Sequence, residues 1–314
     1  MLTILGQRIL RAVKRFSSIP WSIYRIQEAL GRIEQRQTQQ CLDYKQSEFR
    51  VFSQWGEDGI IQYLINRIPI EKKLFVEFGV ENYTESNTRF LLTNNQWTGL
   101  VLDGNIDNVN YIRHDPIVYW GSNLKAVCSF ITKDNINEVL HSNGIVGDFG
   151  LLSIDIDGND YWVWEAINSV SPRIVICEYN SQFGSTAEVS VPYDSAFVRD
   201  TAHSSKIYYG ASITALNSLA VKKGYSLVAS NSAGNNIFFV RNDLIGSIPV
   251  ITAQQAYNRA QFREYHDENG ELTYDDFEIR LRKISHLPLH DFKTNSVTKI
   301  ADIADVYPLN IEGK

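Results

Sequence analysis

The chain has no run of about 18 uninterrupted apolar residues, the length that a membrane-crossing helix needs. Its first residues hold neither a long apolar stretch nor a small-residue cleavage site. A transmembrane span and secretion are therefore not expected. Cysteine is scarce: Cys41, Cys128 and Cys177 are odd in number and far apart. They read as reduced packing residues of a cytosolic protein rather than a disulfide framework. The six histidines, His114, His141, His203, His266, His286 and His290, show no metal-ligand spacing. There is no Gly-x-Ser-x-Gly elbow and no phosphate loop ending in Gly-Lys-Ser or Gly-Lys-Thr, so hydrolase and NTPase readings lose their main support. No internal repeat or low-complexity tract interrupts the 314 residues, which suffice for one large core with appendages.

Charge is present but unevenly placed. Residues 1–40 carry seven basic side chains (Arg8, Arg11, Lys14, Arg15, Arg25, Arg32, Arg36) against Glu28 and Glu34. That segment is net +5, and the remainder is −11 for a chain total of −6. An acidic body argues against nucleic acid as the main partner. Leu2, Leu5, Ile9, Leu10, Val13 and Phe16 follow helical spacing with basic residues between them, and Pro20 is expected to stop that helix. Beyond it Ile23, Ile26, Leu30, Ile33 and Gln37 alternate in steps of three and four, the a/d spacing of a short coiled coil. Residues 1–45 thus form a helical extension. Three uses stay open: packing on its own domain, homo-oligomer formation, or peripheral contact of the first helix with an anionic membrane at its inner face.

From Leu74 onward short apolar runs alternate with helical patterns, the mark of βαβ units. The runs are Leu74 to Phe78, Gly99 to Leu102, Ala126 to Ile131, Gly150 to Ile154, Arg173 to Cys177, Tyr225 to Ala229 and Asn236 to Val240. The last two are too close for a parallel crossover, which needs about a dozen residues, and should pair antiparallel. The expected fold is α/β: a doubly wound, Rossmann-like, mostly parallel seven-stranded sheet ending in an antiparallel hairpin. It spans residues 46–245. A helix over Gln54 to Arg67 precedes it, and another covers Ser212 to Lys223. Residues 181–210 form a polar excursion suited to a substrate lid, and 246–314 are a C-terminal extension without an assigned role.

Ligands of open parallel sheets bind beyond the carboxyl ends of the strands, where strand order reverses. The first strand ends in Glu77-Phe78-Gly79, and Ser86 or Asn87 can cap the helix that follows. Glu81 and Thr84 stand where a dinucleotide fingerprint needs glycine, which disfavours NAD. The second strand ends in Asp103, suited to accept from ribose hydroxyls. On the fourth, Asp155 and Asp157 point to one side, and such neighbours repel unless a proton or cation lies between them. Gly158 falls at the wrong position for an EF-hand calcium loop. The fifth strand ends Glu178-Tyr179-Asn180, so Asp155, Glu178 and Asn180 could ligate Mg²⁺, with Asp157 as further ligand or base. His203 in the lid is a candidate general base. Capping by Asn159 and Asp160, with Asp157 in a turn, is the structural alternative.

Phe52-Ser53-Gln54-Trp55-Gly56-Glu57-Asp58, Phe75-Val76-Glu77-Phe78-Gly79, Ser86-Asn87-Thr88, Leu102-Asp103-Gly104, Ser153-Ile154-Asp155-Ile156-Asp157-Gly158 and Gly234-Asn235-Asn236-Ile237-Phe238-Phe239-Val240 together resemble FkbM-type methyltransferases. These belong to the class I, S-adenosylmethionine-dependent fold, and the resemblance covers roughly residues 50–242. It implies that Glu77 and Gly79 contact the methionine and ribose parts of the cofactor, with Asn82 and Ser86 joining from the loop. It also implies that Asp103 binds the ribose hydroxyls and that Asp155 faces the transferred methyl group, with Mg²⁺ an optional second cofactor. Metal-dependent O-methyltransferases carry asparagine directly after their aspartate, whereas Tyr179 intervenes here. The implied acceptor is a hydroxyl of a sugar, glycan or other natural product, methylated in the cytoplasm. Two other functions fit parts of the pattern. Asp155-Ile156-Asp157 is also the Asp-x-Asp motif of a metal-dependent glycosyltransferase, and the incomplete glycine loop suits a non-catalytic Rossmann-like binding module.

Overall fold

A computed structural model describes residues 4–119, 122–260, 262 and 264–307, with the backbone alone for 4–20, 117 and 119. Seven strands form the main sheet: β1 (Leu74–Phe78), β2 (Thr98–Asp103), β3 (Asn123–Cys128), β4 (Gly147–Ile154), β5 (Val170–Glu178), β7 (Tyr225–Ser230) and β8 (Asn236–Arg241). Between β5 and β7 lies the two-residue β6 (Val189–Ser190). The order is β3-β2-β1-β4-β5-β8-β7, parallel from β3 to β5, with β8 antiparallel to both β5 and β7. This is the expected doubly wound sheet with its closing hairpin.

Alternation along the strands divides the core into two layers. Val76 and Phe78 of β1, Leu152 and Ile154 of β4, and Val175 and Cys177 of β5 pack on one face with Trp164, Leu216 and Phe239. Phe75, Leu151, Ile174 and Ile176 pack on the other with Ile60, Leu64 and Phe238. Every residue of β1 is buried, as expected of a strand covered on both faces. The third strand starts earlier than the sequence pattern suggests and ends at Cys128, with Ser129 N–H closing the parallel ladder on the Asp103 carbonyl at 2.9 Å.

Two expectations change. Pro20 does not end the first helix: α1 runs unbroken over Ile4–Thr38. Proline removes one intrahelical hydrogen bond, a cost of about 3 kcal/mol in a helix interior, which a 35-residue helix anchored on the body can absorb. The apolar and basic side chains expected to make the first half amphipathic lie outside the described residues. In the second half, Tyr24, Glu28, Gly31, Gln35 and Thr38 turn inward while Ile23, Ile26, Leu30 and Ile33 face solvent. Tyr24 stacks on Phe52 at 5.4 Å and Gln35 receives a bond from Asn94 at 2.8 Å. Gly31 lies against Val51 and Phe90, where a β-carbon would not fit.

The second change concerns residues 181–210, which are not a free-standing flap. β6 pairs with β9 (Pro288–Asp291), which pairs with β10 (Ser296–Lys299). Phe183, Val189, Val191, Ile207, Leu281, Ile284, Leu289 and Ile300 form a core of their own beneath this small sheet. The 181–210 segment and the C-terminal extension therefore make one packed unit.

Candidate functional site

Strand order reverses between β1 and β4, and a set of acidic residues collects there. A cavity of about 570 Å³ is lined by Glu77, Gly79, Ser86, Asp155, Asp157 and Glu178 from the strand ends. Gln54, Trp55, Asn235 and Asn236 line it from one side, and Arg199, Phe262 and Glu264 close it from the small unit. A smaller recess of about 160 Å³ adjoins it, bounded by Gly79, Asp103, Gly104, Phe130, Ile131 and Phe197.

On β1, Glu77 is buried and accepts from Ser86 Oγ (2.7 Å), Asn87 N (2.9 Å) and both N and Oγ1 of Thr88. It thereby fixes the loop entering the helix α2 (Arg89–Thr93), whose N-terminal Thr88 makes no side-chain cap of its own. Burial pushes the Glu77 carboxyl up, against the pull of those hydrogen bonds. Gly79 adopts φ +68° and donates to the Leu102 carbonyl at 2.9 Å; a β-carbon there would stand 1.7 Å from the Asp155 carbonyl oxygen. Only glycine permits β1 and β4 to part so narrowly. On β2, Asp103 Oδ1 accepts from Asn105 N (2.8 Å) and Asn108 Nδ2 (3.1 Å), which hold the carboxylate in place beside the recess.

The β4 end turns on a constrained loop. Asp157 has φ +55°, Asp160 accepts from the N–H groups of Ile156 and Gly158 at 2.9 Å each, and Phe197 packs where a Gly158 side chain would be. Asp160 thus ties down the loop ahead of the helix Asp160–Ala166 rather than capping it, and Asn159 at its N-terminus makes no side-chain cap, while Asp155 and Asp157 stay at the cavity. One carboxylate oxygen each of Asp155, Asp157 and Glu178 lies within 4.8 Å of the others. Burial first, then the neighbouring Asp157 charge, raises the Asp155 carboxyl well above its ordinary range; burial and then Asp155 do the same to Glu178. Two such groups share protons rather than titrate singly.

A guanidinium meets this cluster. Arg199 donates to Asp157 Oδ1 (2.5 Å), Glu264 Oε2 (2.7 Å) and the Lys206 carbonyl (2.7 Å), with its guanidinium 3.7 Å from the Tyr209 ring centroid. On the far side Trp55 and Phe262 stack at 5.5 Å and 24°. Three buried polar atoms of the lining, Trp55 Nε1, Glu178 Oε2 and Asn236 Oδ1, have no hydrogen-bond partner among the described residues. Buried polar groups are normally satisfied, so these three invite a ligand.

The structure brings Glu77, Gly79, Ser86, Asp155, Asp157 and Glu178 to one cavity and Asp103 to its recess, but it does not bring Asn180, His203 or Asn82. Asn180 spends its amide on the Ile207 and Tyr209 carbonyls (2.8 and 2.9 Å) and its oxygen on Gln182 N (2.9 Å), so it anchors the chain after β5 instead of ligating a metal. His203 pairs with Ser205 Oγ at 2.7 Å and packs on His286, away from the cavity. Asn82 folds back onto Thr84 N at 3.0 Å. Arg199, Glu264 and Phe262 were not foreseen, because their segments carry no periodic pattern. Trp55, Asn235 and Asn236 lay inside quoted motifs, yet only folding shows that they line the cavity.

No known protein family profile matches the chain, and no curated protein does. Among solved structures it is similar to the N-terminal domain of EvdMO1 with SAH bound, at 10% identity and a TM-score of 0.40, over 67% of this chain and 95% of that one. The CurJ carbon methyltransferase follows at 8% identity and 0.39, over 63% and 57%. A putative caffeoyl-CoA O-methyltransferase from Staphylococcus aureus stands at 12% and 0.33, over 54% and 75%. Likenesses this distant leave the fold to be read from the strand order itself, which is that of a Rossmann-like, doubly wound α/β protein.

Proposed function

We propose that this chain is an S-adenosylmethionine-dependent O-methyltransferase of FkbM type acting on a hydroxyl of a sugar, glycan or glycosylated metabolite. The observation that carries the reading is the ring of Glu77, Gly79, Asp103, Asp155 and Glu178 around one reversal of strand order, with a recess for a nucleoside beside a larger acidic cavity. Asp103 uses Oδ1 on its own loop, leaving Oδ2 to accept from ribose hydroxyls. Phe130 and Ile131 supply apolar walls for a base, and Gly79 lines both the recess and the larger cavity. The remaining carboxylates favour a cationic sulfur centre.

When bound, S-adenosylmethionine supplies an electrophilic methyl carbon that leaves behind a neutral thioether. Asp155 and Glu178 are the candidates to take the proton of the acceptor hydroxyl, since burial and their mutual charge raise their affinity for protons above that of an ordinary carboxylate. Trp55 and Phe262 offer an aromatic face to a sugar ring, and Asn235, Asn236 and Gln54 offer amides to its hydroxyls. A divalent cation also fits: the unpartnered Glu178 Oε2 and the close Asp155 and Asp157 oxygens form a hard-oxygen set that would hold it and acidify a bound hydroxyl.

Thermal unfolding with S-adenosylhomocysteine, and separately with sugar nucleotides plus Mn²⁺, tests the proposal. Stabilisation by the first is expected. Stabilisation only by the second transfers the site to a glycosyltransferase using Asp155-Ile156-Asp157. Stabilisation by neither leaves a binding module that has lost the cofactor. Among the described residues no helix is long and apolar enough to cross a membrane.

A further inference from the structure

The seam on α1 is longer than the sequence alone suggested, because the helix passes through Pro20 without a break. One heptad register then covers both halves of the segment. Its a and d positions are Leu5, Ile9, Ala12, Phe16, Ile19, Ile23, Ile26, Leu30 and Ile33, nine in succession and all apolar. Where side chains are described, the seam is open to solvent: Ile23, Ile26, Leu30 and Ile33 are each more than half exposed. The helix already has its own attachment to the body, through the inward stripe of Tyr24, Glu28, Gly31, Gln35 and Thr38 on the opposite side. Four aliphatic side chains in one row on the outer face need another partner.

We propose that this seam joins copies of the chain in a coiled coil. The pattern itself favours a second copy. Across residues 22–37 the outward Ile and Leu side chains stand at a and d alone, which matches an identical helix wound around the seam, whereas a helix lying in a lipid surface or on a globular core shows a broader apolar face. Here the flanking positions are Gln27 and Glu34 on one side and Ser22, Ala29 and Arg36 on the other, so the apolar row is two side chains wide. Glu34 beside the row would be driven into anionic headgroups by a membrane, but sits in water beside a narrow coiled-coil seam. Ile26 and Ile33 at d with Leu30 at a favour three or four strands over two. Gln37 continues the register with a polar a position, the kind of residue that fixes alignment at a cost in stability.

The surplus positive charge of residues 1–40 makes a distinguishing prediction. Like-charged helices repel, so self-association strengthens as salt rises, while binding to anionic lipid weakens. Light scattering on the full chain should give three or four times the 35.8 kDa chain mass, held or increased in high salt. The double substitution Ile26→Glu with Leu30→Glu should reduce it to a single chain without lowering the melting temperature of the body, since both side chains are exposed. A wild-type mass near 35.8 kDa overturns the proposal, as does an unchanged mass in the variant. Monomers that sediment with phosphatidylserine vesicles at low salt and leave them at high salt overturn it in favour of lipid.

Discussion

Replacing Gly79 by alanine tests the geometry on which the site depends. The substitution adds one carbon, which would stand 1.7 Å from the Asp155 backbone carbonyl oxygen, and that oxygen cannot swing aside as a side chain would. Reaching even a tight contact of about 3 Å requires β1 and β4 to separate by more than 1 Å, a strain of the size that overpacked cores show. That motion pulls on the Gly79 N–H bond to the Leu102 carbonyl and on the loop that positions Asp155 and Asp157. The φ of +68° adds about 1 kcal/mol for any residue with a β-carbon. Together with overpacking at about 1–3 kcal/mol, the expected loss of stability is about 2–4 kcal/mol. Urea unfolding measures it, and calorimetry with S-adenosylhomocysteine measures the accompanying loss of affinity. A Gly79→Ala protein as stable as wild type, with unchanged affinity, would show that the two strand ends do not meet as described and would remove the basis for the cavity.

Three further outcomes follow from the same contacts. Asp103→Asn should weaken S-adenosylhomocysteine binding about 10- to 100-fold by calorimetry, the range of a charge-assisted hydrogen bond at about 1.5–3 kcal/mol, with the fold intact. Methyl transfer should fall at low pH along a limb above the ordinary carboxylate range; Asp157→Asn should move that limb down by removing a like charge, and Arg199→Gln should move it up by removing the counter-charge. Asp160 is raised by burial from 3.8 to about 6, so the folded chain holds a proton that the unfolded chain releases. Its contribution is present below pH 3.8 and is lost as pH rises through about 6, by up to about 3 kcal/mol at 1.36 kcal/mol per pH unit. Asp160→Asn should flatten that part of the stability profile, and an unchanged slope in urea titrations between those pH values rules the assignment out.

Strands were legible because burial on two faces requires runs of apolar residues, and a run such as Leu74–Phe78 has few other uses. Strand-end chemistry was legible for the same reason: once the sheet is granted, Glu77, Asp103, Asp155 and Glu178 must meet wherever β1, β2, β4 and β5 end side by side. What failed was reasoning that stopped at one residue. Pro20 was read as a helix stop from its local cost, but packing of Tyr24, Gly31 and Gln35 on the body supports the helix beyond it. Asn180 has the right donor atom for a metal, yet both ends of its amide are taken by the backbone of residues 182, 207 and 209. His203 lies in the anticipated segment, but the fold of that segment brings Arg199 to the cavity instead.

Arg199 also explains why the acidic cluster can exist before any ligand arrives. Asp155, Asp157, Glu178 and Glu264 would place four negative charges around one cavity, and burial of Asp155, Glu178 and Glu264 makes that state costly. One guanidinium, held by Asp157, Glu264 and the Tyr209 ring, offsets part of the charge but leaves Asp155 and Glu178 outside its hydrogen bonds. Their raised proton affinity is the remainder of the balance. Asp157 is committed to Arg199 by a hydrogen bond, while Asp155 and Glu178 feel the same guanidinium only through space. Because Arg199 and Glu264 come from the small unit and the aspartates from the sheet, the charge balance of the acidic cluster depends on the two being folded together, whereas Glu77, Gly79 and Asp103 stand on the sheet alone.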